Sequence, residues 1–338
     1  MKIAVDAMGG DFAPKAVVLG AIMAAKKHQA EIVLVGDEKV IREIIAKENV
    51  ENLPIEIKNA TEVIGMDEHP ADAVRVKKDA SVVVATNLVK EGVCDAVVSA
   101  GSTGAAVAAA QLILKRIRGI GRPAIATPMP TPKGVTLMLD SGANVDSKPE
   151  HLAQSGIMGS LYAEHVQKKN KPRVGLLNIG EEETKGNELT KEAYALLKGT
   201  NINFIGNAEG RDVPKGNFDV VVCDGFIGNV VLKFAESMAK TIFFLIKDAI
   251  KEGSLLGKLG AFLLMPTLKG LAKKLDVAEY GGAPLLGVQG YVIISHGSSD
   301  EKTISNAVRA AKAYVESDVV NHIKNALAEK KETLNGSV

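Results

Sequence analysis

Short β-branched apolar runs alternate with longer amphipathic stretches along the chain. The runs predict strands at 2–6, 31–36, 55–58, 95–99, 124–127, 135–140, 173–178, 202–206, 219–223 and 291–295. Apolar spacing of helical period predicts helices from Pro14 and over 103–115, 149–167, 187–198, 229–251 and 300–328. Several strands are apolar throughout, as parallel strands covered on both faces are. The alternation predicts an α/β fold with a doubly wound, mostly parallel sheet.

The chain is long enough for a large core, since it has 338 residues of which 46% are hydrophobic. We expect residues 1–328 to form a single large α/β domain, in one or two lobes, with a helical protrusion around 240–278. Residues 329–338 are polar and are expected to form a frayed tail. Asp6 interrupts the first apolar run, which argues against a signal peptide, and no uninterrupted apolar stretch approaches the ~18 residues of a spanning helix.

Composition narrows the classes of partner and compartment. The net charge is +1, there is no Trp and only 4% of residues are aromatic, so neither a strong positive field nor a stacking platform for nucleic acid is present. We therefore expect no nucleic acid partner. Cys94 and Cys223 are far apart in the sequence, which favours reduced thiols in the cytoplasm over a disulfide framework.

Glycine-rich turns follow six of the predicted strands, at 6–11, 99–104, 140–144, 178–180, 224–229 and 295–299. Ligands of open α/β sheets bind at the carboxyl ends of the strands. Glycine lets backbone N–H groups approach an anion, and a following helix N-terminus favours negative charge. The six loops are expected on one edge of one sheet, where they predict an anion site; ordinary tight turns are the alternative.

Several common sites are missing from these loops. The G-x-G-x-x-G dinucleotide fingerprint, the P-loop and the G-x-S-x-G serine elbow are absent, as are H-E-x-x-H and paired C-x-x-C. We therefore predict no metal, no cofactor and no serine nucleophile. The acidic run at 181–183 could hold a cation, but a solvated loop is the favoured interpretation.

Eight segments, in order, resemble one known family. They read IAVDAMGGD at 3–11, SAGSTGA at 99–105, LDSGANV at 139–145, GLLNIG at 175–180, KGNE at 185–188, DGFIGNV at 224–230, YGGAP at 280–284 and HGSSD at 296–300. As a set they resemble the phosphate acyltransferase (PlsX) family of bacterial phospholipid synthesis, over about residues 1–325. The chain has Ser102 where the family usually has Asn, and Ile227 where it has Thr.

The resemblance implies a reaction, a fold and partners. It implies that acyl-[acyl carrier protein] and inorganic phosphate give acyl phosphate and free carrier protein, on a Rossmann-like fold of the phosphotransacetylase or isopropylmalate dehydrogenase type. It also implies a homodimer in the cytoplasm, partly peripheral at the inner face of the cell membrane. Its product would pass to a downstream membrane acyltransferase and on to phosphatidic acid and phospholipids.

In this reaction phosphate is itself the nucleophile, and the thiolate leaves readily because thiols have a pKa of about 8.5. The enzyme needs an anion cradle, a donor for the developing oxyanion and precise placement. We expect the phosphate and substrate to be bound by backbone and side-chain groups of Asp6, Gly9, Gly10, Gly101, Ser102, Thr103, Gly104, Asn144 and Gly228.

Four further residues are expected to be catalytic, mostly on the resemblance. Lys185 would offset phosphate charge or polarise the thioester carbonyl, and Asp224 would position a partner or accept the phosphate proton. Asn229 would donate at a helix start, and His296 would serve the thiol end. Structural roles remain open: Lys185 as a surface lysine, Asp224 and Asn229 as helix caps, and His296 as a structural histidine.

The apolar segment 254–275 follows the longest predicted helix. Pro266 is expected to break it into two short amphipathic pieces with a basic and apolar face. Such a face suits an anionic membrane or a protein partner, while a core or dimer helix is the alternative. An acidic carrier protein could dock on basic side chains that could equally be solvated helix faces, namely Arg75, Lys77, Lys78, Lys115, Arg116 and Arg118.

Three other functions compete with this one. A phosphate acetyltransferase-like enzyme would use short acyl-CoA with the same phosphate chemistry. An oxidative decarboxylase of the isopropylmalate dehydrogenase type would need clustered aspartates for a metal and a nicotinamide site, and neither pattern is found. The third alternative is a non-enzymatic, membrane-associated scaffold, which would not account for the predicted anion site.

Overall fold

A single mixed sheet runs through the computed structural model, which describes the backbone of residues 1–335 and their side chains except at 273, 275, 277 and 329–335. Its eleven strands lie in the order β3-β2-β1-β4-β11-β10-β5-β6-β9-β7-β8. They are β1 (Lys2–Asp6), β2 (Glu31–Gly36), β3 (Ile55–Asn59), β4 (Ala96–Ser99), β5 (Ala124–Thr131), β6 (Gly134–Leu139), β7 (Val174–Asn178), β8 (Phe204–Glu209), β9 (Val220–Val222), β10 (Ala283–Leu286) and β11 (Tyr291–Ile294).

Helices connect most of these strands. They are α1 (Lys15–His28), α2 (Glu38–Ile45), α3 (Pro70–Val76), α4 (Ser81–Lys90), α5 (Thr103–Ala109), α6 (Pro149–His165), α7 (Glu188–Lys198), α8 (Gly225–Glu252), α9 (Leu255–Leu275), α10 (Glu301–Glu316) and α11 (Val319–Asn335). A π-helical turn, Ala110–Leu114, continues α5. Of the tail predicted at 329–338, residues 336–338 lie outside the described residues.

Successive residues of a strand are buried on opposite faces of the sheet. Ile3 and Val5 join the core cluster that includes residues of α1, α6 and α10, whereas Ala4 between them joins the cluster of α4 and α5. Leu137 and Met138 divide between two clusters in the same way. Period-two burial on both faces is what a sheet covered by two helical layers requires. The predicted doubly wound α/β fold is confirmed.

The sheet consists of two blocks of parallel strands that run in opposite directions. β3, β2, β1, β4 and β11 are parallel to one another, and so are β6, β9, β7 and β8. Between the blocks, the pairs β11–β10, β10–β5 and β5–β6 are all antiparallel. Three reversals turn the second block round, so its carboxyl ends lie at the opposite edge.

The prediction of six glycine loops on one edge is therefore wrong. The loops after β1, β4 and β11 lie at one edge of the sheet, and those after β6, β7 and β9 at the other. The cause is the antiparallel β5–β6 hairpin, which reverses the direction of the second block. The central strand β10, which is absent from the predicted strands, is antiparallel to both neighbours and so leaves β5 parallel to β11.

Three predicted helix boundaries also change. α8 begins at Gly225 and not at 229, because the Asp224 carboxylate accepts the N–H of Ile227 at 3.0 Å and caps the helix. The break predicted at Pro266 is wrong, since α9 continues through it. The segment predicted as one helix over 300–328 is two helices, which meet where Asp318 takes a left-handed conformation with φ of 51°.

The helices α8 and α9 expose an unusual amount of apolar surface. Phe234 on α8 is 66% exposed, and Leu255 and Phe262 on α9 are 87% and 72% exposed. Among the described helices, the window Leu255–Ala272 is long and apolar enough to cross a membrane by length and composition alone, with a mean hydropathy of 1.3. Two lysines, Lys258 and Lys269, lie within that window.

Candidate active site

Asp6 connects the loops at the first edge of the sheet. Its buried carboxylate accepts the hydroxyl of Ser99 at 2.7 Å and the N–H of Met8 at 3.3 Å. Burial raises the pKa of this carboxyl, while hydrogen bonds from Ser81, Ser99 and the backbone lower it. The Ser99 hydroxyl oxygen also accepts the N–H of Gly101 at 3.2 Å. Asp6 thereby ties the loop after β1 to the loop after β4.

Glycines let three loops approach one another at this edge. A Cβ on Gly9 would lie 2.8 Å from the backbone nitrogen of Gly101, closer than side chains allow. Gly10 has φ of +121°, and a Cβ there would lie 3.2 Å from the carbonyl oxygens of both Ala100 and Gly297. The N–H of Asp11 donates to the Gly297 carbonyl at 2.8 Å. The loops after β1, β4 and β11 therefore form one backbone-lined rim.

The cavity inside this rim is small. It measures about 10 Å³ and is lined by Asp6, Gly9, Ser81, Gly101 and Ser102 among others. That volume holds about one water, so a phosphate has to bind at the mouth and not within. There Thr103 is exposed, Gly104 lies against Pro70, and the Ser102 oxygen accepts the N–H of Ala105 at 3.4 Å, capping α5.

Asp140 organises the loop at the opposite edge. Its carboxylate accepts the backbone N–H groups of Ile125, Gly142, Ala143 and Asn144 at 2.8–3.2 Å. The Asn144 side-chain amide donates to Asp140 at 2.8 Å and to the Pro123 carbonyl at 2.7 Å. Burial raises the pKa of the Asp140 carboxyl, and these N–H bonds lower it. Asn144 thus bonds within its own loop.

The first turn of α8 packs directly on the Asp140 loop. A Cβ on Gly225 would overlap the Asn144 carbonyl oxygen, and one on Gly228 would overlap the Asp140 carbonyl oxygen. Asn229, which is exposed, lies against Gly142. The prediction that Asn229 lies at a helix start is wrong. Because α8 starts at Gly225, Asn229 is in its second turn.

A lysine that the sequence analysis missed joins the two edges. Lys233, one turn after Asn229, has its Nζ 3.0 Å from Nε2 of His296. The other ring nitrogen of His296, Nδ1, lies 2.8 Å from the Ser298 hydroxyl. Four residues rise about 6 Å along a helix, so Asn229 and Lys233 are neighbours on one face. The start of α8 therefore brings groups of both edges into one region.

Lys185 lies apart from this region. It is exposed on the loop after β7, where its N–H donates to the Glu182 carbonyl and its own carbonyl accepts the Asn178 amide, both at 3.1 Å. Within the described part of the chain, no hydrogen bond or ion pair joins its ammonium to Asp140, Asn229 or His296.

An acidic group near this loop is already neutralised by bases. Carboxylate oxygens of Glu181, Glu209 and Asp212 lie within 4.8 Å of one another. Arg211 forms ion pairs with Glu181 and Glu209, and Lys215 lies 3.4 Å from Asp212. These bases supply the positive charge that a cation would otherwise supply.

The two cysteines are buried and are not activated thiols. Burial raises the pKa of Cys94 to about 11 and that of Cys223 well above its usual value. Cys223 lies beneath the start of α8, with its sulfur 3.4 Å from the Asp140 carbonyl oxygen. Neither thiol is suited to act as a nucleophile near neutral pH.

The fold defines the class of the protein. It is similar to the crystal structure of a phosphotransacetylase from Streptococcus pyogenes, with a TM-score of 0.64 over 93% of this chain and 94% of that one, at 20% identity. At that identity the likeness shows a common α/β fold, and it confirms the phosphotransacetylase-type architecture expected from the resemblance.

Sequence comparison then gives the family. Residues 1–322 match the family model described as "Fatty acid synthesis protein". The chain is 58% identical to "Phosphate acyltransferase" of Desulfitobacterium hafniense (strain Y51), over 97% of each chain, and 54% identical to that of Pelotomaculum thermopropionicum, over 97% and 95%. The chain belongs to the phosphate acyltransferase family and is an acyltransferase with a role in phosphate acyl transfer. The predicted family and enzyme class are confirmed.

The contact between α8 and the Asp140 loop predicts the effect of Gly228→Ala. Because the new methyl group would overlap the Asp140 carbonyl, the loop must move, and we expect a loss of about 1–3 kcal/mol of unfolding free energy together with most of the activity. Thermal denaturation and a thioester assay measure the two effects.

Gly260→Ala on exposed α9 is the matched control, because a Cβ there meets nothing within 4 Å. It is expected to be as stable as the parent or more so, by up to about 1 kcal/mol. A Gly228→Ala protein with parental melting and parental activity would contradict the packing of α8 described above.

Proposed function

We propose that this enzyme transfers a long-chain acyl group from acyl carrier protein to inorganic phosphate, feeding phosphatidic acid and phospholipid synthesis. A phosphate oxygen attacks the thioester carbonyl carbon, the C–O bond forms, the C–S bond breaks, and the leaving thiolate takes up a proton. The observation that carries the proposal is the meeting of the glycine rim with Asn229, Lys233 and His296 at the start of α8.

The phosphate binds at the mouth of the glycine rim. Gly9 and Gly101 let the loops approach one another, since their own N–H groups are donated to Asp6 and Ser99. The backbone N–H groups of Gly10 and residues 102–104 are left for the anion, with the hydroxyls of Ser102 and Thr103 at the N-terminus of α5. Backbone donors and the positive end of a helix both favour an anion. Asp6 is buried beneath the rim, so its part is to hold the two loops together and not to touch the anion.

The amine of Lys233 acts at the thioester. Its Nζ lies 3.0 Å from Nε2 of His296, and Nδ1 of the same ring accepts the backbone N–H of Ser298 at 3.2 Å. The Glu236 carboxylate lies 3.7 Å from the same Nζ. An N–H group of Lys233 that neither neighbour uses would serve the oxyanion or the leaving thiolate, and Asn229 would add an amide donor. His296 orients Lys233 and supplies the route for the thiol proton.

Most of the remaining predicted residues hold the loops and α8 in place. Asp224 caps α8, Asn144 is bonded to Asp140, and Gly228 allows α8 to approach that loop. Lys185 stays a proposed phosphate contact, although it lies on the loop after β7, apart from the start of α8. Its part is to offset the charge of the incoming nucleophile.

The carrier protein docks on the basic loop that follows the π-helical turn. Lys115, Arg116 and Arg118 line one surface depression there. In the other basic group, Lys77 is held by Glu68 at 2.8 Å and Arg75 lies 3.4 Å from Asp72. An acidic partner therefore meets less competition at the 115–118 loop.

Incubation with palmitoyl-carrier protein and phosphate tests the function. We expect phosphate-dependent formation of an acyl phosphate that reacts with hydroxylamine, and slower reaction with palmitoyl-CoA because CoA lacks the acidic carrier surface. Acyl phosphate from short acyl-CoA alone would favour the phosphotransacetylase-like alternative. Failure of phosphate to consume any thioester would support the scaffold alternative.

Lys185→Ala is expected to lower kcat/KM for phosphate about 100-fold, the usual size of a lost electrostatic contact in a transition state. The melting temperature should not change, since the side chain is exposed. Lys198→Ala, which removes another exposed lysine nearby, one paired with Glu183, serves as control and should keep parental kinetics. Near-parental turnover of Lys185→Ala would remove Lys185 from the mechanism.

The exposed helices α8 and α9 have separate partners in this proposal. Phe234, Met238, Ile242 and Leu245 recur at helical spacing on α8 and are 40–66% exposed, which suits a second copy of the chain. On α9, Leu255, Leu259, Phe262 and Leu263 are exposed beside lysines, which suits an anionic membrane. The enzyme would then work in the cytoplasm and at the inner face of the cell membrane, next to the downstream membrane acyltransferase.

Sedimentation with vesicles that contain anionic lipid tests the membrane contact. Leu259→Glu combined with Phe262→Glu should abolish binding, because two carboxylates would enter the interface. Leu196→Glu with Ile205→Glu, two exposed apolar residues outside α9, is the control and should bind like the parent. Unchanged sedimentation of the α9 variant would show that α9 is not the membrane contact.

A further inference from the structure

A second cavity lies on the face of the sheet that α6 and α10 cover. It has a volume of about 380 Å³, and we call it the rear cavity. Its floor is apolar and includes Pro128, Leu137, Tyr162 and Pro284, from β5, β6, α6 and β10. The volume is within the range of small-molecule sites, roughly 300–1,000 Å³. None of the residues assigned above to phosphate binding or catalysis lines it.

The charged side chains that line the rear cavity are positive. Arg309 is exposed at its rim and is fixed by a 2.6 Å bond to the carbonyl of Glu279, which leaves N–H groups of the guanidinium for a ligand. Lys169 also lines it, 3.5 Å from Asp219. The side-chain oxygen of Gln167, another lining residue, is buried without a hydrogen-bond donor among the described residues. An apolar floor with cations at the rim suits an amphiphilic anion.

The YGGAP segment at 280–284 connects this cavity to the active site. Gly282, with φ of +116°, lines the cavity, and Gly281 packs on the backbone of Asn306 in α10, where a Cβ would overlap it. The Gly281 carbonyl accepts the hydroxyl of Ser295 at 3.2 Å. Ser295 directly precedes His296. The wall of the rear cavity is therefore bonded to the residue beside the catalytic region.

We propose that the rear cavity binds a long-chain acyl anion, with the alkyl chain on the apolar floor and the anionic head at Arg309 and Lys169. The identity of this anion as a fatty acid or acyl phosphate rests on the proposed function. At about 380 Å³ the rear cavity is far larger than the cavity inside the glycine rim, which holds about one water, and it has room for an alkyl chain. That matches a chain of medium to long length and excludes acetate as the best ligand.

Calorimetric titration with sodium dodecanoate tests this directly, without thioester or phosphate. The parent should bind, and each methylene removed between dodecanoate and octanoate should weaken binding about fourfold. Dodecanol, which has no charge, should bind at least about tenfold more weakly. Equal binding of dodecanol, or no dependence on chain length, would overturn the proposal.

Variants locate the binding. Ala310→Phe and, at the exposed rim, Ala313→Phe fill the cavity and should each weaken dodecanoate binding at least about tenfold. Arg309→Gln should weaken dodecanoate but not dodecanol, while Arg42→Gln, an exposed arginine on α2, should change neither. Binding that survives both filling variants would lie elsewhere, for example on α9, and would contradict the proposal.

The outcome is separable from that of the proposed function. If the parent binds dodecanoate in this way but makes no acyl phosphate, the function fails and the cavity stands. If the parent makes acyl phosphate but the filling variants bind dodecanoate normally, the cavity proposal fails and the function stands.

Discussion

The β5–β6 hairpin is the constraint on which the rest of the structure depends. The strand β10 is antiparallel to both of its neighbours, which leaves β5 parallel to β11, and the hairpin then turns the second block of parallel strands against the first. Polar loops that follow parallel strands consequently leave the sheet at two opposite edges. A ligand that needs groups from both sets of loops cannot be held by one edge alone, and an element has to connect them.

The start of α8 is that element. It is held on the Asp140 loop by two glycines that permit backbone contact, and one turn later Lys233 reaches His296 on the loop after β11. The two edges resemble each other in their chemistry. Each has a buried carboxylate, Asp6 or Asp140, that accepts several N–H or O–H groups and so fixes a glycine loop.

Such an arrangement suits a reaction in which the protein positions the substrates and stabilises charge, and in which no covalent intermediate forms on the protein. In the proposed function the backbone rim and helix termini bind phosphate, and Lys233 and Asn229 act at the thioester. Both cysteines are buried with raised pKa values, so neither competes as a nucleophile. The family to which the chain belongs transfers acyl groups to phosphate, and the geometry accounts for how it could do so directly.

The sequence pattern predicted those strands whose ends are set by local residues. The strands at 2–6 and 31–36 have the predicted ends because apolar, β-branched runs stop at polar or glycine residues. β10 was missed because APLL is short and contains Pro284, and the antiparallel pairing of β5 with β6, which reverses the sheet, was not predicted. The short helix α2 has an ordinary cap at Asp37 that was overlooked.

The site was predicted as a set of loops, and only some of these loops meet in the structure. Asp6, Gly9, Gly10 and Gly101 come together because strands β1 and β4 are adjacent, as a parallel sheet implies. Lys233 carries no signal in the sequence, since a lysine inside an amphipathic helix is ordinary. Only the packing of α8 across the sheet brings it to His296.

The most direct test of the account is the mass of the intact protein after mixing with palmitoyl-carrier protein in the absence of phosphate. Direct attack by phosphate predicts that the protein keeps its unmodified mass, and that acyl phosphate forms only when phosphate is added. A protein that gains one palmitoyl group and loses it on addition of phosphate would contradict the account, because the acyl group would then pass through a residue of the enzyme.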